Sequence, residues 1–101
     1  MKIGSLYTVK KFYWLIFPTK EIAAVILLPD EYAAATSPDL VDFWSVNLKH
    51  YEVTWFEPNE YIIFLEEDGK YKKVLISDGR IGWTWFIESY NECFEEVKAN
   101  P

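Results

Sequence analysis

Cysteine is almost missing from this chain: Cys93 is the only one. One thiol cannot close an intramolecular disulfide. With no CxxC and no Cys/His cluster, no zinc site can be read. A lone thiol suits a reducing compartment. Histidine is equally scarce, with His50 alone. Long apolar runs are missing too. Phe12 to Phe17 and Ile22 to Leu28 fall far below the roughly 20 residues of a spanning helix. The first of them meets Pro18 with no small-residue cleavage site and does not read as a signal peptide. The expectation is a soluble, intracellular chain with no membrane role. There is no N-x-S/T sequon, no repeat and no low-complexity tract. No Ser-centred elbow, phosphate-cradling glycine loop or HExxH motif occurs. The sequence therefore predicts no enzyme, no metal and no cofactor.

What the chain does have is aromatic bulk and acid. Its 101 residues are one domain's worth, so residues 1–101 are expected to form a single domain. Five Trp, seven Tyr and seven Phe lift the hydrophobic fraction to 50%. A small interior cannot easily enclose so many rings, and the surplus is expected to reach the surface. The net charge is −6, from 16 acidic and 10 basic residues. That balance repels a phosphate backbone and makes nucleic-acid binding the weaker reading.

The local signals are mostly those of strands. Leu6 to Phe17 is rich in β-branched and aromatic residues, with Lys10-Lys11 marking a bend or a wet edge. Pro18 to Glu21 reads as a turn. Ile22 to Leu28, ended by Pro29-Asp30, is expected to be a buried strand, with Ala23-Ala24 keeping a short helix open. Ser37-Pro38-Asp39 looks like a helix start. Tyr51 to Phe56 alternates, which places Tyr51, Val53 and Trp55 on one face. Glu57 to Glu60 turns the chain into Tyr61 to Glu66, apolar on both faces like a central strand. Asp68-Gly69 is a strong hairpin signal. Tyr71 to Ser77 returns, Asp78-Gly79 turns again, and Arg80 to Ile87 sets Ile81, Trp83, Trp85 and Ile87 on one side. Gly82 lies between them, where a missing side chain permits close backbone approach. Glu88 to Asn91 is a short turn, and Cys93 to Lys98 a closing strand.

Short strands, two DG turns and one long early connection describe a small β-barrel. The segment from Pro58 to Trp85, PNEYIIFLEEDGKYKKVLISDGRIGWTW, resembles the meander of Src-homology-3-like barrels. Lys73-Val74-Leu75 and Gly79-Arg80-Ile81-Gly82-Trp83 carry the likeness. Gly4 to Val9 looks like the first strand of that class, and Glu88 to Val97 like its helical turn and last strand. The resemblance covers about half the chain. It implies a mainly β fold: a five- or six-stranded Src-homology-3-like or Sm-like barrel, with a longer early loop that has room for a short helix. The acidic loop and surface aromatics that read proline-rich peptides have no clear counterpart, and the Sm-type RNA motifs are not recognisable.

The chemistry-bearing residues divide into a few groups. His50 with Glu52 offers an acid–base pair only if both meet in a pocket; a polar residue at a strand entry is the plainer reading. Cys93 sits among Glu92, Glu95 and Glu96, which raise a thiol's pKa. Glu66, Glu67 and Asp68 read as a solvated hairpin tip. Lys70, Lys72, Lys73 and Arg80 beside Trp83 and Trp85 form the one basic strip with rings, the pattern that holds single-stranded nucleic acid. Edge lysines beside core tryptophans are the plainer alternative. Tyr13, Trp14, Phe43, Trp44 and Trp55 are the expected partner-binding surface, the other reading of the aromatic surplus being a second small core that packs the Pro18–Lys49 excursion onto the barrel. The leading expectation is thus a non-enzymatic interaction module that binds a protein partner or itself as a homo-oligomer. The alternative is a Sm-like or single-stranded nucleic-acid-binding barrel.

Overall fold

A computed structural model describes residues 2–26, 34–47 and 49–98, except the side chains of 25, 26 and 41–45. The chain is mainly β. The described residues form eight strands: β1 (Leu6–Val9), β2 (Tyr13–Ile16), β3 (Ala35–Thr36), β4 (Thr54–Phe56), β5 (Tyr61–Asp68), β6 (Tyr71–Ile76), β7 (Ile81–Trp85) and β8 (Phe94–Glu96). Two helices, α1 (Lys20–Ile26) and α2 (Pro38–Asn47), and two 3-10 turns, Lys49–Tyr51 and Glu88–Cys93, complete it. The strands make two antiparallel sheets, ordered β7-β6-β5-β1-β8 and β3-β2-β4. The expected five or six strands become eight because the early excursion builds a sheet of its own. No helix among the described residues is long and apolar enough to cross a membrane.

The large sheet follows the turn chemistry. Gly69 and Gly79 take positive φ, which glycine adopts without a Cβ clash, and each closes a hairpin. β5 carries one extra residue, Leu65, between the pairs Phe64–Val74 and Glu66–Lys73. Such a bulge bends the strand and increases its twist. It also resets the alternation, so Glu66 faces the same side as Lys73. On the inner face Tyr7, Val9, Ile62, Phe64, Val74 and Ile76 are buried, and the second sheet adds Trp14, Leu15, Ile16, Phe17 and Phe56 to the same core.

Three expectations are corrected here. Ile22 to Ile26 belongs to α1, not to a strand; residues 27–30 of that reading lie outside the described ones. Thr19 explains the helix. Its hydroxyl accepts a hydrogen bond from the Ile22 N–H at 3.1 Å, which satisfies an otherwise orphan donor of the first turn. Second, Tyr51 to Phe56 is not one alternating strand. Glu52 sits at φ 59°, a left-handed conformation that breaks the ladder, so only Thr54–Phe56 pairs. Val53 and Phe56 are buried while Trp55 is half-buried. Third, Trp83 is not the core ring of the edge-lysine reading: Gly82 and Thr84 face the core, whereas Trp83 is half-buried and Ile81 exposed on the other side.

Gly82 is where the two sheets meet. A Cβ built there would lie 2.7 Å from Ile16 Cγ1 and 2.8 Å from the Phe17 carbonyl oxygen. Phe17 continues β2 onto the edge of β7, and the Phe17 and Trp83 amides each donate to the other's carbonyl at 2.7 Å. The Ala34 N–H adds a bond to the Trp85 carbonyl at 2.9 Å. The early excursion therefore covers much of the β7 edge, which would otherwise offer bare backbone donors and acceptors.

Candidate interaction surface

The aromatic surplus goes mainly inward. Trp14, Phe17, Phe56, Phe64 and Phe86 are among the largest fully buried side chains. Trp14 packs edge-to-face on Phe86 and Tyr90 and tilts against Phe94, while its indole N–H donates to the Lys11 carbonyl at 2.8 Å. A ring buried and bonded in this way cannot greet a partner, so Trp14 leaves the expected partner surface and joins the core. Tyr13 and Trp55 remain half-buried. Phe43 and Trp44 fall on α2, and their side chains lie outside the described ones.

The basic strip is brought together, but with its counter-charges. Lys72 points inward and is almost buried. Its ammonium donates to Glu67 Oε1 and to the Gly69 carbonyl, both at 2.6 Å, and lies over the Phe86 ring. Lys73 faces outward, 4.0 Å from Glu66 and over the Trp83 ring. Arg80 Nε donates to Asp78 at 2.7 Å, and its Nη1 donates to the Trp55 carbonyl at 2.9 Å. Lys70 lies over Tyr71. Lys20, which the sequence did not single out, reaches Asp68 and also lies over Trp83. Trp83 is half-buried beneath two cations, and Trp85 is a core ring tilted on Phe17. Charge already paired with a carboxylate releases little when a phosphate replaces it, so the strip is a poor electrostatic track.

The pairing shifts the ionisation of the groups involved. The Lys72 hydrogen bond, then its charge, holds the Glu67 carboxyl below the usual range. The Arg80 backbone N–H is the main cause of a lowered Asp78. The Asp68 hydrogen bond raises Lys20. Burial pushes the Cys93 thiol up, with Glu92 adding to it and Lys11 opposing. His50 stands exposed on its 3-10 turn, its ring 4.1 Å from that of Tyr51. Among the described residues no three His, Cys, Asp or Glu side chains converge as metal ligands would.

The surface that stands out is aliphatic. On the outer face of the large sheet, cross-strand pairing sets Leu6 beside Ile63, Ile63 beside Leu75 and Leu75 beside Ile81. The Val97 N–H donates to the Leu6 carbonyl at 2.8 Å, which puts Val97 next in line. One aliphatic row thus crosses the whole sheet, a span of roughly 19 Å at the usual strand spacing. Its members are open to solvent: Ile81 is 56% exposed, Val97 39% and Leu6 37%, with Ile63 and Leu75 half-buried. Tyr61, 48% exposed, flanks it. Leu6, Tyr61, Ile63, Leu75, Ser77 and Gly79 line a shallow groove of about 270 Å³. A second cleft of about 220 Å³ lies near the end of the row, where Ile81 and Arg80 meet Pro18 and Thr54. Comparison with protein-family models, curated proteins and solved structures finds no match.

The sequence reading missed this row for a physical reason. Tyr61 to Leu65 is apolar on both faces, the pattern of a central strand. A strand with one buried and one open apolar face looks the same until its register with the neighbouring strands is known.

Proposed function

We propose that this chain is a non-enzymatic interaction module that binds protein through the outer face of its large sheet. The observation that carries the reading is the aliphatic row Val97–Leu6–Ile63–Leu75–Ile81. Scattered exposed aliphatics are ordinary, but a contiguous line across every strand of a sheet marks a contact surface. The aromatic surface and open sheet edges give way to this face as the expected means of binding. A buried, poorly ionised Cys93 and an exposed His50 support the non-enzymatic part. A free thiol also fits a reducing, intracellular setting.

The fold supports a Src-homology-3-like barrel. The strand order β8-β1-β5-β6-β7, a bent central strand and a 3-10 turn before the last strand are what that class uses. The excursion between β1 and β5 would then be a much enlarged first loop. The nucleic-acid alternative has lost most of its free charge; titration with single-stranded RNA at low salt is expected to leave the tryptophan emission unchanged.

The test uses an apolar fluorescent dye and two outward substitutions, Leu75→Lys and Ile81→Lys. Wild-type protein, diluted until it is monomeric, should bind the dye in its folded state. Both variants should lose that binding and keep the wild-type thermal midpoint within a few degrees. If either variant unfolds the domain, the row is core and the proposal fails.

A further inference from the structure

We infer that the occupant of this face is a second copy of the same chain, packed sheet to sheet about a two-fold axis between β5 and β6. The inference rests on the reading of the outer face as a docking surface. Three features of that face favour a self-match. Four of the row's five members match about the β5/β6 line: a two-fold running along the strands lays Leu6 over the partner copy's Ile81 and Ile63 over its Leu75, and leaves Val97 at the rim. The same operation lays Glu66 over the copy's Lys73 and Lys73 over its Glu66, because the β5 bulge has turned Glu66 to the outer face opposite Lys73. Each sheet therefore meets opposite charge beside its apolar row, twice per dimer. Lastly, the face holds both a groove, between Leu6 and Gly79, and the prominent Ile81 outside it. A two-fold match needs one surface to carry both shapes.

Aligned sheets pack about 10 Å apart with their strands crossing at about −30°, which concentrates contact on the central pair, Ile63 and Leu75. Pairing along the β7 edge, the other common route to sheet association, is obstructed by the chain's own Phe17 and Ala34.

Sedimentation equilibrium of the full chain tests this. Wild-type protein should dimerise between micromolar and millimolar concentrations. Leu75→Lys should raise the dissociation constant by about a hundredfold, the loss typical of a central interface side chain. Glu66→Lys and Lys73→Glu should each weaken self-association by about tenfold, because each sets like charges across the axis. Mixing those two single variants should restore a dimer, since every crossing pair is then opposite in sign. Loss of the pair within one chain predicts no rescue by mixing, so failure to rescue overturns the register. A wild-type chain that stays monomeric throughout overturns the second copy as occupant. If that monomer still binds the apolar dye through Leu75, the docking face survives with another protein as its partner. If it binds no dye, both readings fall.

Discussion

Replacing Gly82 by alanine should be among the most damaging single-methyl additions in the molecule. Glycine is not needed there for a special φ; it is needed for room. The new Cβ would sit 2.7 Å from Ile16 Cγ1, 2.9 Å from Ile16 Cδ1 and 2.8 Å from the Phe17 oxygen. The Ile16 side chain is buried and has little space to turn away. The Phe17 oxygen cannot retreat without stretching the 2.7 Å bond it accepts from the Trp83 N–H. Overpacking of this kind costs about 1–3 kcal/mol. A weakened hydrogen bond in the Phe17–Trp83 pair adds about 1 kcal/mol. The sum, about 2–4 kcal/mol, is a large part of the 5–15 kcal/mol that holds a domain together. At about 4–8 °C per kcal/mol for a chain this size, the midpoint should fall by about 8–32 °C. Urea unfolding followed by tryptophan emission measures it, because Trp14 and Trp85 are buried. Hydrogen exchange at the Trp83 and Phe17 amides should accelerate more than at β1 or β8. A variant within about 0.5 kcal/mol of wild type, the range of a neutral surface change, would refute the close crossing.

Three further outcomes follow from single side chains. The Thr84 hydroxyl is buried without a hydrogen-bond partner, so Thr84→Val should stabilise the domain by about 1 kcal/mol, read as a higher urea midpoint at unchanged slope. Cys93 should react with a disulfide reagent only on the timescale of unfolding, since its thiol is buried and its ionisation suppressed; rapid labelling of the native chain would contradict that. NMR titration should find Glu67 and Asp78 ionising below ordinary carboxylates, with Lys72→Met returning Glu67 to normal. Depressed carboxylates stabilise above their unfolded pKa values and lose that as pH falls through the folded ones, so a modest acid-side decline should begin near about pH 4. Raised Lys20 contributes below its ordinary pKa and loses it only as pH climbs through the raised value.

The turn chemistry was legible because it is local. Both DG hairpins, the last 3-10 turn and the tight spot at Gly82 could be read from a few adjacent residues. The helix start at Pro38 was readable for the same reason. What misled was phase and partner. Ile22 to Ile26 carries strand-like residues, and only the Thr19 cap tips it into helix. Glu52 adopts a left-handed conformation that no pattern announces, and it shifts the strand behind it. So many rings look too bulky for a small interior, yet Trp14, Phe86, Tyr90 and Phe94 pack in one cluster, edge to face, tilted and stacked. The aliphatic row was invisible because its members come from five separate stretches of chain and meet only through register.

Covering an edge and opening a face are two sides of one construction. A five-stranded sheet has two edges and two faces, and a small domain must protect what it does not use. Here the excursion between β1 and β5 buries the inner face with β2, β3, β4 and α1, and its Phe17 and Ala34 bond to the β7 edge. Lys72, a charge on the buried side, is held by Glu67 and the Gly69 carbonyl at the sheet's end rather than left unpaired. With the inner face and the β7 edge covered, an aliphatic outer face gains the isolated chain little, since its burial there is partial and exposed β-rich apolar surface invites unspecific pairing. In the proposed dimer, the Glu66–Lys73 pair beside the aliphatic row supplies a charge pattern that a second copy satisfies in one register and a slipped copy does not.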